Sequence, residues 1–339
     1  MLHPPNLIIT ERWIFMKKKI TSVLILFILL FIGILILTYS DEVIKSVLFA
    51  ITIWKDNLFP TLFPFFLLSE LLIHYGFIDF LGELLKKYMS KFFHLPGEAS
   101  FVLIGSLVSG FPSSAKYTKE LYNNKVITSQ EGSYLLTFTH FSNPLFVIGT
   151  IGSILLKNKT IGIIILLCHI FTNFIIAFLF RPKQNPYITN NKTSIRRSLS
   201  KMHYKRLSHK NKFGSILSKA ILNTINTLLL LLGIISTFLV LTSLINNIFP
   251  LEEPFKTIIN GMLEMTQGVK YSSMLDVSLL IKATLITFII SFGGISVHTQ
   301  IISIISDTKI EYKYFLISRI FHAIIASSLV FFILSFMNF

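Results

Sequence analysis

Ser291-Phe292-Gly293-Gly294-Ile295-Ser296-Val297-His298-Thr299-Gln300 lies inside a long apolar run, Leu279–Ile302. A bilayer crossing takes about 20 apolar residues, and this run is long enough. Two adjacent glycines and a polar series (Ser296, His298, Thr299 and Gln300) interrupt it. At membrane depth every backbone polar group needs a partner. Irregular backbone persists there only when it is buried in protein or lines a wet cavity. The stretch therefore predicts a broken membrane helix whose break faces something polar. Close packing across small residues would explain Gly293 and Gly294, but not the polar series.

Two other stretches share this form. Ser109-Gly110-Phe111-Pro112-Ser113-Ser114-Ala115-Lys116 ends a Gly- and Ser-rich apolar segment, Ala99–Ala115. Gly110 permits unusual dihedrals, Pro112 stops an incoming helix, and Lys116 can meet an anion near a helix start. Thr139-His140-Phe141-Ser142-Asn143-Pro144 interrupts Leu135–Leu156 near its start. Ser142 and Asn143 there can bond either a ligand or the backbone that Pro144 frees.

The remaining apolar runs are Ile20–Thr38, Leu58–Ile73, Ile161–Phe180, Ala220–Ile245 and Tyr314–Phe336. With 53% hydrophobic and only 14% charged residues in 339, and a mean hydropathy of +0.70, the chain reads as a polytopic membrane protein. Soluble domains carry about 25% charged residues. The single Cys168 excludes a disulfide framework within one chain. The net charge of +15 is gathered beside the apolar runs, which favours a membrane surface over nucleic acid. Arg181–Lys212 holds ten basic residues and no acidic one; it reads as a cytoplasmic linker touching anionic lipid.

Lys17, Lys18 and Lys19 also belong inside, so an even number of crossings separates them from the linker. Four strong spans satisfy this if Ala99–Ala115 enters and leaves on one side, as a re-entrant segment. Residues 1–19 form a cytoplasmic tail, polar and irregular over Met1–Phe15, and Met16-Lys17-Lys18-Lys19 reads as a natural start. Residues 20–38 are the first membrane helix. Gly110–Ile127 and Gly294–Glu311 align at a constant offset of 184. This suggests two repeats of opposite orientation, residues 50–180 and 213–339, joined by the linker 181–212. The expected fold is all-α: a polytopic helical membrane protein with an inverted repeat, re-entrant hairpins and broken helices, as in secondary transporters.

Ionisable residues inside spans are costly and often functional. Arg319 is the natural partner for an anionic substrate, and Glu70 for a coupling cation or proton. His322 lies in the last span with Arg319, His169 and Asn173 lie in Ile161–Phe180, and Glu264 and Gln267 are weaker candidates. The substrate-binding set is then Ser109, Gly110, Pro112, Ser113, Ser114, Lys116, Ser142, Asn143, Gly293, Gly294, Ser296, His298, Gln300 and Arg319. The sequence holds no His-Glu-x-x-His helix, phosphate loop, dinucleotide fingerprint or serine elbow. No catalytic residue, metal or cofactor is expected.

Pro60–Leu72, Ser109–Lys116, Phe138–Phe146, Phe292–Gln300 and Phe315–His322 together resemble the YlbJ family of sporulation integral membrane proteins, which carry the nucleoside-recognition or Gate domain. Members often have Gly-Tyr-Pro-x-Gly where this chain has Gly110-Phe111-Pro112-Ser113-Ser114. The resemblance implies a distant relation to concentrative nucleoside transporters, with re-entrant hairpins and broken helices around the substrate. It also implies a role in spore formation, in the outer forespore membrane, moving dipicolinic acid. That anion would suit Lys116, Arg319 and the hydroxyl-rich loops. The expected function is thus a transporter of a small polar or anionic metabolite, acting on a small molecule within a lipid bilayer. No nucleic-acid partner is expected, and a homo-oligomer is compatible with the design. The alternatives are a non-transporting scaffold or assembly factor in sporulation and an intramembrane lipid-modifying enzyme.

Overall fold

The computed structural model describes residues 5–187, 194–208 and 212–337; Lys192 and Lys210 of the linker lie outside them. Among the described residues all regular structure is helical. Five helices there are long and apolar enough to cross a bilayer: Ile20–Thr38, Lys159–Leu179, Phe213–Ile248, Leu279–Ile305 and Tyr312–Phe336. A bent pair, Ser40–Leu58 with Leu62–His74 at 58°, makes a sixth. The first span belongs to α1 (Pro5–Thr38). The tail is therefore helical from Pro5, not irregular: proline is tolerated at a helix start, and neither glycine nor proline follows until Gly33. None of the apolar window of α1 is buried, so the helix stands at the edge of the bundle.

Local chemistry sets the other boundaries. Between α2 (Ser40–Ile53) and α3 (Phe59–His74) the chain bends, and Pro60 and Pro64 both fall in α3. The expected span Leu58–Ile73 is thus the second arm of a bent pair. α4 (Phe77–Tyr88) follows the left-handed Gly76. α5 (Ala99–Ser109) and α6 (Ser113–Asn123) flank the first break. At about 1.5 Å per residue, their 11 residues each reach only about half of a hydrocarbon core. The Phe101 and Tyr117 rings lie 5.0 Å apart, and a Cβ on Gly105 would touch Tyr117 at 2.9 Å. The two arms therefore fold back on each other as the re-entrant reading requires.

α7 (Ser129–Phe138) starts at a capping box between Thr128 and Glu131. It ends at Thr139, and a wider π-wound helix, Phe146–Leu155, follows the second break. Leu135–Leu156 is therefore not one span: Pro144 and the Asn143 side chain start a new helix. α8 (Lys159–Leu179) is capped by Asn158. Beyond the linker run α10 (Phe213–Ile248), α11 (Phe255–Leu263), α12 (Met265–Met274), α13 (Leu279–Phe292), α14 (Gly294–Ile305) and α15 (Tyr312–Phe336).

The order hairpin, broken helix, unbroken helix thus occurs twice. In the second hairpin, α11 and α12 meet at Gly261 and Gly268, so closely that a Cβ on Gly268 would lie 2.1 Å from the Gly261 Cα, and one on Gly261 would lie 2.7 Å from Ile289. α8 and α15 begin 153 residues apart, and His169 and His322 are separated by the same 153. The pairing at an offset of 184 is corrected: it matched the first hairpin with the second broken helix. Both end in Gly, Ser and a polar turn, so composition could not tell them apart. α8 and α15 run antiparallel. The Phe180 ring meets that of Phe321 edge-on at 6.5 Å, while Ile161 and Ile165 share a core with Val330 and Leu334 toward the other end.

The described part of the linker contains a helix. α9 (Ile195–Ser208) docks on α4, with Arg197 3.3 Å from Glu83 and Lys201 2.9 Å from Glu98. It is more than a solvated strand on lipid, because acidic partners exist in the chain itself. Such part-exposed pairs contribute at most about 1 kcal/mol each, so they orient the helix more than they stabilise it. On the same end, Lys119 sits 2.8 Å from Asp307 and holds its carboxyl below the usual range.

Candidate functional site

The three breaks and the second hairpin meet at one place. Gly110 adopts φ 79° and ψ −177°, and a Cβ there would lie 2.7 Å from the Asn143 backbone nitrogen. The Phe111 amide donates to the Phe141 carbonyl at 2.8 Å. Ser109 donates to Ser113, which donates to the Gly110 carbonyl. Asn143 is fully committed: its amide donates to the Ser109 carbonyl at 3.1 Å, and its oxygen accepts from the Leu145 and Phe146 amides. It joins two breaks and caps the helix that follows. Asn143→Ala should cost about 1–2 kcal/mol, the usual loss for an N-cap, read as a lower unfolding midpoint in detergent.

The other half repeats the arrangement. Gly293 and Gly294 have φ of 95° and 68°. A Cβ on Gly294 would lie 3.1 Å from both the Gly261 carbonyl oxygen and the Met265 nitrogen. Glu264 caps α12, accepting from the Gln267 amide at 2.9 Å and the Thr266 hydroxyl at 2.5 Å. Its carboxylate is 1% exposed and has no cation within ion-pair distance among the described residues. Ser296 lies beside it without a hydrogen bond of ordinary geometry.

Behind the breaks is a buried polar centre. Arg319 is fully buried. It donates to the carbonyls of Thr137 and His140, the latter at 3.4 Å, and to Asn173 Oδ1 at 3.1 Å. A residue of the last helix thus closes the open end of α7, whose final carbonyls lack helical donors. His169 Nε2 accepts from the Ser142 amide at 3.1 Å, so its proton sits on Nδ1, 3.3 Å from Ser291 Oγ. His322 Nε2 donates to the His169 carbonyl at 3.0 Å, and the two rings lie 4.6 Å apart. His298 donates from Nε2 to the Phe292 carbonyl and accepts at Nδ1 from Tyr312. His140 is stacked on Phe111 at 4.8 Å, and neither of its ring nitrogens has a partner among the described residues. The Ser114 and Ser142 hydroxyls are likewise unpartnered.

A cleft of about 100 Å³ opens between the hairpin tips, lined by Asp56, Phe111, Asn143, Thr150, Met265 and Thr266 among others. A smaller lobe of about 30 Å³ continues from it past Pro112, Glu264 and Gln300. Phe111, Met265 and Thr266 line both. Of the expected binding set, Pro112, Asn143 and Gln300 line the cleft; Ser109, Gly110, Ser113, Gly293 and Gly294 shape its walls. Arg319, His298 and Ser142 stand behind it. Lys116 is elsewhere, 2.7 Å from Glu70, the expected coupling residue. Phe111, His140, Glu264 and Thr266 matter more than their sequence weight suggested. The signal for Glu264 was its spacing: it follows Phe111 by the same interval that separates the two central histidines.

Among the described residues no group of three or more metal-ligating side chains gathers. What the geometry does supply is a small cleft between paired broken elements, mostly apolar, with Asp56, Asn143, Thr266, Glu264 and Gln300 as its polar edges.

This is the architecture of a polytopic helical membrane protein with paired hairpins and broken helices. The family model for Gate, described as nucleoside recognition, matches residues 57–180, the stretch from the end of the α2–α3 bend through α8. Sporulation integral membrane protein YlbJ of Bacillus subtilis (strain 168) is 32% identical, covering 91% of this chain and 82% of that protein. The chain belongs to the YlbJ family of sporulation integral membrane proteins. No solved structure matches it.

Proposed function

We propose that this protein is a transporter, or facilitator, that moves a small polar metabolite across the membrane during spore formation. The observation that carries this reading is the cleft between the tips of two hairpins and two broken helices. Fixed backbone breaks are costly at membrane depth, and here Asn143, Thr266, Glu264 and Gln300 border the space beside them, where a ligand carrying polar groups meets them. A scaffold has no use for such a site.

Dipicolinate is the substrate to test first, and the outer forespore membrane the place, both on the family resemblance. The Phe111 ring suits a flat aromatic acid. The charges set a condition, however. Lys116 and Arg319 are both engaged, while Asp56 and Glu264 line the cleft. A dianion therefore passes with its charge neutralised, by protons or by accompanying cations.

The test is uptake of labelled dipicolinate by purified protein in liposomes, beside labelled uridine and protein-free vesicles. Saturable dipicolinate flux is expected. Uridine flux alone would replace the anion with a neutral substrate. Flux of neither, from monodisperse folded protein, would overturn the transporter reading.

A further inference from the structure

Three helices each present a stripe of side chains spaced by four residues, the spacing that places side chains above one another on one helix face. On α3 the stripe is Leu62, Phe66, Glu70 and His74; on α10 it is Asn223, Thr227, Leu231 and Ile235; on the first hairpin it is Pro112, Lys116, Glu120 and Asn124. The upper members, Leu62, Leu231, Ile235 and Pro112, line the small lobe of the cleft. The lower members, Glu70, His74, Asn223, Glu120 and Asn124, line a separate vestibule of about 360 Å³. Lys219 and Glu98 also line that vestibule, so it opens at the linker end, where Lys201 meets Glu98.

The two spaces are separated by a short barrier. Leu62, Phe66, Leu228 and Leu231 pack together as a fully apolar cluster. Directly beneath it Lys116 lies 5.6 Å over the Phe66 ring and 2.7 Å from Glu70. Thr227 Oγ1 lies 3.4 Å from the Lys116 ammonium, and Asn223 donates to the other Glu70 oxygen at 3.3 Å. One ion pair and its hydrogen bonds therefore bolt the second arm of the first hairpin to both α3 and α10.

We infer that the three stripes form one continuous permeation path, and that the Lys116–Glu70 pair is the gate closing its linker end. The inference rests on the transporter reading, and it deepens it: the path runs along the α3–α10 groove, and Glu70 acts in gating instead of ion coupling. When the pair parts, the Lys116 ammonium is released into the path, where a carboxylate-bearing substrate takes the place of Glu70. Both spaces then join across the Phe66 layer.

Thiol labelling tests this without any substrate. Cys168 is the only native cysteine and is buried, so it gives a low background. Thr227→Cys sits at the gate, and Asn124→Cys in the vestibule is the freely reactive reference. In detergent, Thr227→Cys should react with a maleimide far more slowly than Asn124→Cys. Adding Lys116→Gln or Glu70→Gln should speed it on the order of tenfold, with the reference rate unchanged. Exchanging the charges, Glu70→Lys with Lys116→Glu, should restore protection. Equal rates at the two positions in the parent, or no acceleration in either neutral variant, would overturn the gate. Uptake measurements decide the transporter reading separately, since labelling needs no flux.

Discussion

Arg319→Ala should collapse the centre of the protein instead of merely weakening a substrate site. The side chain is fully buried and satisfies the Thr137 and His140 carbonyls together with Asn173. Its removal leaves two buried acceptors, the Thr137 carbonyl and Asn173 Oδ1, without donors, each costing about 1–3 kcal/mol, while the His140 carbonyl keeps only the Asn173 amide at 3.2 Å. A loss of about 3 kcal/mol or more is therefore expected, a large fraction of ordinary domain stability. It should appear as a lower unfolding midpoint in detergent and a smaller monodisperse fraction. Arg319→Lys should recover only part of it, because a single ammonium cannot span acceptors arranged for a planar fork. Midpoints matching the parent for both variants would show that Arg319 does not hold the break. The sequence alone suggested a free cation waiting for an anion; the structure assigns it to the open end of α7.

Gly110→Ala should be nearly as damaging. At φ 79° and ψ −177° the backbone is in a region open essentially to glycine, worth about 1–3 kcal/mol of strain for any other residue. The added Cβ would also lie 2.7 Å from the Asn143 nitrogen, and overpacking of this kind costs about 1–3 kcal/mol more. Gly33→Ala and Gly149→Ala are the controls, since a Cβ at either meets nothing within 4 Å. A Gly110→Ala midpoint equal to those controls would mean that the hairpin tip and the second break are not in contact. Where the transporter reading holds, the same variant should also lose uptake.

Much of the architecture was legible because membrane crossing imposes such a strict length and polarity rule. Leu279–Ile302 and its Gly293-Gly294 break needed no structure to be noticed. Ser109–Lys116 and Thr139–Pro144 were found in the same way. The pairing of the halves was not legible. Phe111 and Glu264 share no residue type, and neither do the tips they occupy, so only the order of elements reveals their equivalence. The site was half legible. Breaks announce where polar groups gather, but not which side chains are used up within the fold. His298 and Arg319 are bound inward, Asn143 borders the cleft with its side chain already committed, and Lys116 is held by Glu70; nothing in one-dimensional spacing separates such residues from those with free groups at the cleft. Glu264 was undervalued because its hairpin is short and half polar.

The antiparallel crossing of α8 and α15 has a last consequence. The two helices meet at His169 and His322, and the hairpins that precede them in the two halves differ in detail: the first is bolted by Lys116 to Glu70, while the second leaves the Glu264 carboxylate without a cation among the described residues. Where the transporter reading holds, each half threaded through the backbone of the other gives the opposite state, with the vestibule and the cleft exchanging open and closed sides, so that a single fold would encode both.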